Sequence, residues 1–452
     1  MAALVAGYAR SSLKEIIVRN IHTLLVALLF AIAVPSYVFA EAPFTDKHYP
    51  DSDILTLPAA LQKTLRQNPQ LHQFEFIRKR LRAERDTNAL NPSYALGLTV
   101  ENVAGTGDIS GFDGAEITLA LSSVIELGYK REARVTVAEA RLERLEQEKR
   151  AQTLDVLGQV TSAFIQLLTT QEELKLAADA VRLSESLYKT VQERARRGAA
   201  SDAEVRRAKA SLAQSRLQDQ FVRQKYERQK VSLARFWGDT TLSFSSVEGN
   251  LYGFGEARDF AELYARVQQA PAIEIFASEL RLKEAELRLA KTQNKADLSW
   301  QMGIRQLQAN GDTALTLGVS VPLFTERRNE SRIVAVMAEY DVIASQHAER
   351  LLALHDRLFD AYSQRQQYVA AYEQLIQNII PDLEIALSIT RDAFEQGRLK
   401  YLDWIAAQQE LLAAKQQRIQ TASVALLNQA LIEQLTAEPL TISDDSGTKM
   451  NR

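Results

Sequence analysis

Apolar residues recur at every second position in four short stretches of the chain. Such alternation is typical of β-strands with one apolar and one polar face. The stretches occur in two pairs, each divided by a glycine-containing loop, so we predict β-hairpins at 94–124 and 297–324. The alternating residues are Tyr94, Leu96, Leu98 and Val100, then Ile117, Leu119 and Leu121, then Leu298, Trp300, Met302 and Ile304, and finally Leu315, Leu317, Val319 and Val321.

The segment after each hairpin has the periodicity of a helix instead. In 129–197 and 328–396 apolar residues recur at intervals of three and four, and no turn cluster interrupts them. At 1.5 Å per residue such a helix extends about 100 Å. We expect Pro381 to bend the second helix without ending it, and the chain to reverse at Gly198 and Gly397. Returning helices are predicted at 201–236 and 400–436, which gives helical hairpins at 129–236 and 328–436.

The order of these elements repeats after about 200 residues. Ile117–Ser122 corresponds to Leu315–Ser320 at an offset of 198 residues, and Gly198 and Gly397 are 199 residues apart. Matches in the same order at one spacing indicate an internal two-fold duplication. The helices that open the repeats are predicted at 57–68 and 70–89, and at 259–268 and 271–293. The predicted organisation is a signal peptide at 1–40, a first repeat at 41–242, a connecting segment at 243–258, a second repeat at 259–438 and a disordered tail at 439–452.

The first 40 residues have the pattern of a signal peptide. Basic residues precede the apolar run Thr23–Val34, and small or branched residues precede a cleavage point after Ala40. A membrane anchor is the alternative, but the run is shorter than the roughly 20 apolar residues that span a bilayer. We therefore predict cleavage after Ala40 and export of the mature chain. The basic residues are Arg10, Lys14 and Arg19.

The composition excludes several kinds of chemistry. The chain has no cysteine, which excludes disulfides, thiolate metal sites, a cysteine nucleophile and a lipidated N-terminal cysteine. Its 5 histidines lack ligand-like spacing, and its formal charge of -3 argues against nucleic-acid binding. Neither a phosphate-binding glycine loop nor a Ser/His/Asp set is evident. We expect a protein that is not an enzyme and has no cofactor, metal site or nucleic-acid partner.

The four predicted strands fit a transmembrane β-barrel, because each has one apolar face and a length of about ten residues. Backbone groups in lipid must be paired, so a barrel has to close, and closure needs at least about eight strands. Three chains would supply about twelve, with their helical hairpins side by side as a hollow tube. An antiparallel sandwich with a coiled-coil stalk is the alternative. The residues expected on the lipid face are Ile117, Leu119, Leu121, Trp300, Met302, Leu315, Leu317 and Val319.

Short motifs mark both ends of the predicted hairpins. They are Leu90-Asn91-Pro92, Val100-Glu101-Asn102 with Gly105, Ile125-Glu126-Leu127-Gly128-Tyr129-Lys130-Arg131, and Val321-Pro322-Leu323-Phe324 with Arg328-Asn329. In this order they resemble the TolC-type outer-membrane factors (outer membrane efflux proteins), and within them the cobalt-zinc-cadmium (CzcC-like) heavy-metal branch. The resemblance covers 51–438. The chain departs from the branch at Tyr129, where a second glycine is usual, and at Glu326-Arg327, where the turn carries extra charge. It also lacks the lipidated cysteine of many relatives.

The resemblance implies a mainly α-helical chain with a transmembrane β part. It implies a homotrimer with a 12-stranded β-barrel, four strands per chain, continued by a long α-helical barrel. Such a protein lies in the outer membrane of a Gram-negative bacterium, with its helical part in the periplasm. It passively conducts substrate from an inner-membrane RND pump and a periplasmic membrane-fusion adaptor to the exterior, and the branch implies divalent heavy-metal cations. The alternatives are an exit duct for drug efflux or type I protein secretion, and a periplasmic coiled-coil scaffold without a pore.

The resemblance also places the tapered periplasmic end at the two hairpin tips. Gly198 and Gly397 fit helix C-caps, where a left-handed residue is needed. Glu204 and Asp403 stand six residues after these glycines, where the family has acidic aperture residues. Three copies of each would attract cations and repel anions. The alternative is that both acids only occupy the first turn of a helix, where the macrodipole favours them.

Basic residues flank both predicted turns. We expect them to contact the periplasmic adaptor or to pair with Asp403; they are Arg194, Arg196 and Arg197 before the first turn, and Arg398 and Lys400 at the second. Ordinary solvated surface is the alternative. Exposed ion pairs contribute only about 0–1 kcal/mol each, so a gate built from them could open when an adaptor supplies competing contacts.

Overall fold

The computed structural model of the protein describes residues 54–107, 111–240, 242–256 and 258–438. The predicted signal peptide, 1–40, and the predicted tail, 439–452, lie outside the described residues. Within them the chain is mainly helical, with one sheet of four strands and one of two.

In both halves of the chain, one short strand and two helices are followed by two strands and then by long helices. In the first half they are β1 Ile54–Thr56, α1 Leu57–Gln67, α2 Pro69–Asn88, β2 Ala95–Glu101, β3 Glu116–Ile125, α3 Lys130–Arg196 and α4 Asp202–Ala234, followed by a 3-10 turn at Arg235–Trp237. In the second half they are β4 Ser246–Glu248, α5 Phe260–Val267, α6 Pro271–Thr292, β5 Leu298–Leu307, β6 Thr313–Ser320, α7 Thr325–Gln374, α8 Ile380–Glu395 and α9 Tyr401–Thr436, with a π-helical turn at Leu375–Ile379. The division into repeats at 41–242 and 259–438 stays a prediction.

The break between α1 and α2 is made by Asn68 and Pro69. The Oδ1 atom of Asn68 accepts hydrogen bonds from the backbone N–H groups of Gln70 at 2.9 Å and Leu71 at 3.1 Å. Pro69 occupies the first position of α2, where the missing N–H is not needed. The Nδ2 atom of Asn68 donates to the carbonyl oxygen of Phe236 at 2.8 Å, so this break is tied to the end of the first helical hairpin.

Pro381 lies in a long helix that continues past it. The helix widens into one π-helical turn at Leu375–Ile379, and α8 resumes at Ile380. A proline inside a helix removes one backbone hydrogen bond, and its ring crowds the preceding turn. The wider turn directly before Pro381 gives the ring room without ending the helix.

One antiparallel sheet contains all four strands of the predicted hairpins, in the order β2-β3-β5-β6. The hairpins are joined because β3 pairs with β5, from Glu116 opposite Leu307 to Ile125 opposite Leu298. Strands β2 and β6 lie at the two edges, and among the described residues each is paired on one side only. The strands therefore form a single layer, whereas the sandwich alternative needs two layers.

The register of the sheet separates two faces. Apolar side chains lie opposite one another from strand to strand on one face, and the other face carries mostly small and polar residues. The apolar rows are Leu98, Leu119, Ile304 and Leu315, then Leu96, Leu121, Met302 and Leu317. The small and polar residues include Gly97, Thr99, Thr118, Ala120, Gln301, Gly303, Thr316 and Gly318.

The long helices pack side by side, with α3 and α9 at the centre. Helix α3 packs against α4, α6 and α9, whereas α9 also packs against α7 and α8. The largest apolar cluster surrounds the parallel pair β1–β4, midway along the helices, and includes Val160, Phe164, Leu233 and Leu426. In the part of the chain that the structure describes, no helix is long and apolar enough to cross a membrane.

Candidate functional site

Both hairpin tips are closed by a glycine in the left-handed conformation. At the first tip Gly198 has φ 72°, and the N–H of Ala199 donates to the carbonyl oxygen of Arg194 at 2.8 Å. This is the Schellman motif, which satisfies carbonyl groups at a helix end. The second tip has the same arrangement around Gly397, with φ 77°. A side chain with a Cβ is strained at this φ, so both turns favour glycine.

The carboxylates of Glu204 and Asp403 both bind the start of their own helix. An oxygen of Glu204 accepts a hydrogen bond from the backbone N–H of Ser201 at 2.7 Å, and the Ser201 hydroxyl accepts from the N–H of Glu204 at 3.3 Å. This reciprocal pair is a capping box. An oxygen of Asp403 likewise accepts from the backbone N–H of Lys400 at 2.9 Å. Both acids thus have the helix-start role of the alternative interpretation, and their aperture role stays a prediction.

Three of the predicted basic residues at the tips have no ion pair within the described chain. Arg197, Arg398 and Lys400 are exposed, and within the described chain none of their side chains forms an ion pair. In the same part of the chain, Asp403 is bound only through the backbone of Lys400. The expected pairing of these cations with Asp403 is therefore not formed inside one chain, and contact with an adaptor stays a prediction.

Arg194 joins the two tips, a role that the sequence did not reveal. One terminal nitrogen of its guanidinium donates to the carbonyl oxygen of Phe394, at the end of α8. The same nitrogen donates to the carbonyl oxygen of Glu395 at 3.3 Å. The other donates to the carbonyl oxygen of Ala199 at 3.3 Å. The guanidinium also lies over the Phe394 ring, 4.5 Å from its centroid. A cation favours the negative end of a helix dipole, so Arg194 holds the end of α8 against the first hairpin.

An apolar cluster that includes Phe394 packs beside this contact. It contains buried residues of both hairpins, and the rings of Phe394 and Trp404 are 5.1 Å apart. Tyr401 is buried beside them, and its hydroxyl has no hydrogen-bond partner among the described residues. Burial raises the pKa of Tyr401, so the phenol is neutral near pH 7. The remaining core residues are Leu187, Val191 and Ala208.

At the other end of the molecule, the predicted lipid-face residues share the apolar face of the sheet. Leu119 lies opposite Ile304, which lies opposite Leu315, and Trp300 lies opposite Val319. The other members are Ile117, Leu121, Met302 and Leu317. Their shared face agrees with the prediction, and contact with lipid itself stays a prediction.

The opposite face of the sheet carries a charge cluster that the sequence analysis did not single out. Arg305 contacts Glu116 at 2.7 Å and Glu101 at 3.1 Å, and its Nε atom donates to the Thr118 hydroxyl at 3.0 Å. Arg305 on β5 lies 189 residues after Glu116 on β3, so only the pairing of these strands reveals the cluster. No group of three or more potential metal ligands occurs in the described ranges.

The long helical hairpins, the one-layer sheet and the closed tips together define a class of protein. Residues 60–239 match the model of the outer membrane efflux protein family. The match confirms the predicted family and the outer-membrane location. The matched family consists of outer membrane efflux proteins, in agreement with the expectation that this chain is not an enzyme.

Individual relatives support the same class. The chain is 25% identical over 299 residues to the cobalt-zinc-cadmium resistance protein CzcC of Cupriavidus metallidurans, which covers 66% of this chain and 71% of that protein. Its fold is similar to the outer membrane protein VceC of Vibrio cholerae, with TM-score 0.68 and 20% identity over 84% of this chain and 96% of that one. It is also similar to the CmeC outer membrane channel of Campylobacter jejuni, with TM-score 0.70 and 15% identity over 86% and 87%. The predicted fold class, mainly helical with a β part, is therefore confirmed.

Proposed function

We propose that the chain is one of three identical subunits of a passive exit duct for divalent heavy-metal cations. In this proposal the duct receives its substrate from an inner-membrane RND pump through a periplasmic membrane-fusion adaptor. The observation that carries the proposal is the open sheet, with one unpaired edge at β2 and another at β6. The coarser role, an outer-membrane efflux channel, follows from the family.

The open edges favour assembly around a central pore. Backbone groups at a sheet edge in lipid would lack hydrogen-bond partners, at several kcal/mol for each group. Pairing β6 of one chain with β2 of the next satisfies these groups, and three chains would close a barrel of about twelve strands. The apolar face would then meet lipid, and the small and polar face would line the pore.

The helices offer a matching pair of free edges. Helix α4 packs mainly on α3, and α8 packs on α9, so both stand at the outside of the helical layer. Each carries exposed apolar side chains, which a neighbouring chain would cover. A ring of three chains, with α4 of one beside α7 and α8 of the next, would extend the pore away from the sheet. The exposed residues are Leu217, Phe221 and Val231 on α4, and Leu352, Phe359, Ile385 and Ile389 on α7 and α8.

The proposed cargo is supported by one relative and by the acids at the tips. The relative from Cupriavidus metallidurans is a cobalt-zinc-cadmium resistance protein. Asp403 is exposed and Glu204 half-exposed at the hairpin tips, where three chains would form two rings of carboxylates. Acidic rings favour cations in a pore. In this proposal, choice among cations belongs to the pump.

Bilayer recording of the purified mature protein tests the assembly. We expect a trimer by mass measurement and steady, cation-selective conductance steps in a planar bilayer. A folded monomer that inserts no channel would contradict the proposal and favour the scaffold alternative. In cells, deletion of the gene should lower tolerance to cobalt, zinc or cadmium, and unchanged tolerance to all three would contradict the metal assignment.

Variants of Asp403 separate its two roles. Asp403→Asn keeps an oxygen that can accept the Lys400 N–H but removes the charge, whereas Asp403→Ala removes both. If the carboxylate also lines the aperture, both variants lower cation selectivity, and only Asp403→Ala loses the cap, at about 0.5–2 kcal/mol of stability. Unchanged selectivity in both variants would limit Asp403 to the helix start. Glu204→Gln and Glu204→Ala provide the same comparison at the first tip.

A further inference from the structure

Two aromatic residues are held in an unfavourable backbone conformation where the sheet joins the long helices. Tyr129 has φ 61° and Phe324 has φ 59°, and each lies four residues after the end of a strand, β3 or β6. For a bulky residue this left-handed region is a rare and strained conformation. Each ring is nevertheless exposed, Tyr129 at 77% and Phe324 at 80%. The strain is therefore not offset by packing inside the chain, which points to a partner outside it.

The rings continue the apolar face of the sheet. Tyr94 and Trp300 stand on this face near the same end of the strands, with ring centroids 6.3 Å apart in an edge-to-face contact. Ile125 and Leu127 extend the apolar surface from β3 toward Tyr129. Amphipathic rings at one end of an apolar band are typical of the level where a membrane meets water. Since the helices are periplasmic, this end of the band would face the periplasmic leaflet of the outer membrane.

A cleft of about 570 Å³ opens beside Tyr129. Tyr94, Trp300 and Tyr129 line it together with charged residues of the turn between β3 and α3. Two cations of this turn are already neutralised. Lys130 contacts Asp297 at 2.7 Å, and Arg134 is paired with Glu126 through both guanidinium nitrogens.

Two other cations at this cleft remain available. Arg131 is exposed, donates to the amide oxygen of Asn91 at 2.9 Å and lies 3.6 Å from Glu132, which is only a loose ion pair. Lys295 is exposed, and its side chain has no ion pair or hydrogen bond within the described chain. Its stem lies across Gly128, where an added Cβ would be 2.6 Å from the Lys295 Cδ atom. The turn thus places an ammonium group at the cleft and leaves it without a counter-charge.

The second junction has a similar composition. Phe324 precedes α7, and Arg327 and Arg328 in its first turn are exposed and have no ion pair among the described residues. Asn329 is buried and donates to the Asn294 side-chain oxygen at 2.7 Å, which fixes this turn against the end of α6. The same turn carries one acid, Glu326, so the two arginines leave it with an excess of positive charge. Cations at the start of a helix are unfavourable for the macrodipole, and an external anion would offset this excess.

We propose that these two junctions, which we name the junction collar, bind the headgroups of anionic phospholipids in the periplasmic leaflet. The collar consists of Tyr94, Tyr129, Arg131, Lys295, Trp300, Phe324, Arg327 and Arg328. The rings lie between headgroups and acyl chains, and the cations bind the phosphates. The inference rests on the proposed function, because it needs the sheet to lie in the membrane. Beyond that function, the collar requires that the bound headgroup is negatively charged and that the named cations bind it.

Native mass spectrometry of the detergent-purified protein tests this inference. Phosphatidylglycerol and phosphatidylcholine with the same acyl chains are titrated separately. We expect phosphatidylglycerol to bind more tightly, and Arg131→Gln with Lys295→Gln to weaken it about 30-fold, since each cation near an anionic headgroup contributes about a factor of five. Binding of phosphatidylcholine should change little. Equal affinity for both lipids, or undiminished phosphatidylglycerol binding by the double variant, would overturn the proposal.

Matched variants control for charge and for folding. Arg216→Gln with Arg228→Gln removes the same charge from exposed positions on α4 and should leave lipid binding unchanged. Tyr129→Gly removes the ring but relieves the φ of 61°, so it should melt at the same or a higher temperature and still retain less lipid. Undiminished lipid retention by Tyr129→Gly would remove the ring from the collar.

Two further readouts identify the source of any failure. Inorganic phosphate at the lipid concentration should not displace phosphatidylglycerol, and displacement by it would show a simple anion site and overturn the lipid assignment. Conductance is recorded from the same preparations. Absence of channels in the unaltered protein would refute the proposed function, whereas normal channels with charge-independent lipid binding would refute only the collar.

Discussion

Replacement of Arg194 by glutamine should loosen the contact between the two hairpin tips. The change removes the guanidinium hydrogen bonds to Phe394, Glu395 and Ala199 and the position over the Phe394 ring. One well-formed charge-assisted bond contributes about 1.5–3 kcal/mol. The bonds at 3.3 Å add little, and the ring contact adds about 0.5–1 kcal/mol in a half-exposed setting. The expected loss is about 2–4 kcal/mol for each chain.

This loss would act on the equilibrium between closed and open tips. If opening separates the hairpins, Arg194→Gln shifts that equilibrium toward the open state by about 30- to 700-fold for each chain, since 1.4 kcal/mol is a factor of ten. Single-channel recording of the purified protein measures the fraction of time spent open. Arg194→Lys keeps the charge but loses the planar fork, so it should give an intermediate open fraction.

Arg197→Gln is the matched control, because Arg197 is exposed in the same turn and has no side-chain hydrogen bond or ion pair within the described chain. It removes the same charge without breaking a contact between hairpins. The same open fraction in Arg194→Gln and Arg197→Gln would refute the role of Arg194 in keeping the tips closed. A lower melting temperature of Arg194→Gln without a higher open fraction would also refute it, since Arg194 would then only stabilise the fold.

Three further substitutions test the sheet and the helical core. Arg305→Gln removes the cation that pairs with the carboxylates of Glu101 and Glu116, so the preference of the channel for cations should rise in reversal-potential measurements. An unchanged reversal potential would mean that this cluster does not face the conducted ions. Leu358→Ala should lower the free energy of unfolding by about 2–5 kcal/mol, because Leu358 is 0% exposed. Leu65→Ala on α1, where the side chain is 48% exposed and outside the proposed subunit contact, should change it by less than about 1 kcal/mol in the same denaturation experiment. Gly303→Ala should destabilise the barrel by about 1–3 kcal/mol, because the added Cβ would lie 2.7 Å from the Leu119 carbonyl oxygen. Gly97→Ala should be tolerated in the same melting assay, because its added Cβ would lie 4.0 Å from the nearest atom. Equal melting temperatures of the two variants would contradict this.

Local patterns in the sequence predicted the four strands of the larger sheet and the long helices, but not the short parallel pair β1–β4. Alternation predicted strands that the structure gives as Ala95–Glu101, Glu116–Ile125, Leu298–Leu307 and Thr313–Ser320. Pro69 and Gly198 marked helix boundaries because each imposes a backbone conformation on its own position. Strand faces and helix ends of this kind depend on residues a few positions apart, and therefore remain visible in one sequence.

Contacts between distant segments could not be predicted in this way. Arg194 reads as one more exposed cation at a helix end, and only the docking of α8 brings the Phe394 carbonyl to it. The cluster around Arg305 likewise depends on the pairing of β3 with β5. The left-handed φ of Tyr129 had a weak local signal, because the resemblance has glycine there. Nothing in the residue types themselves indicates a strained tyrosine.

The two halves of the chain depend on each other at both ends of the molecule. At the sheet end, β3 of the first half pairs with β5 of the second along its whole length. At the tips, Arg194 of the first half binds the end of α8 in the second, and both halves contribute to the buried cluster around Trp404. A single half would leave a two-stranded hairpin, which is only marginally stable alone. Because the same long helices carry the sheet contact and the tip contact, opening at the tips has to occur by movement of hairpins whose other ends are fixed in one sheet.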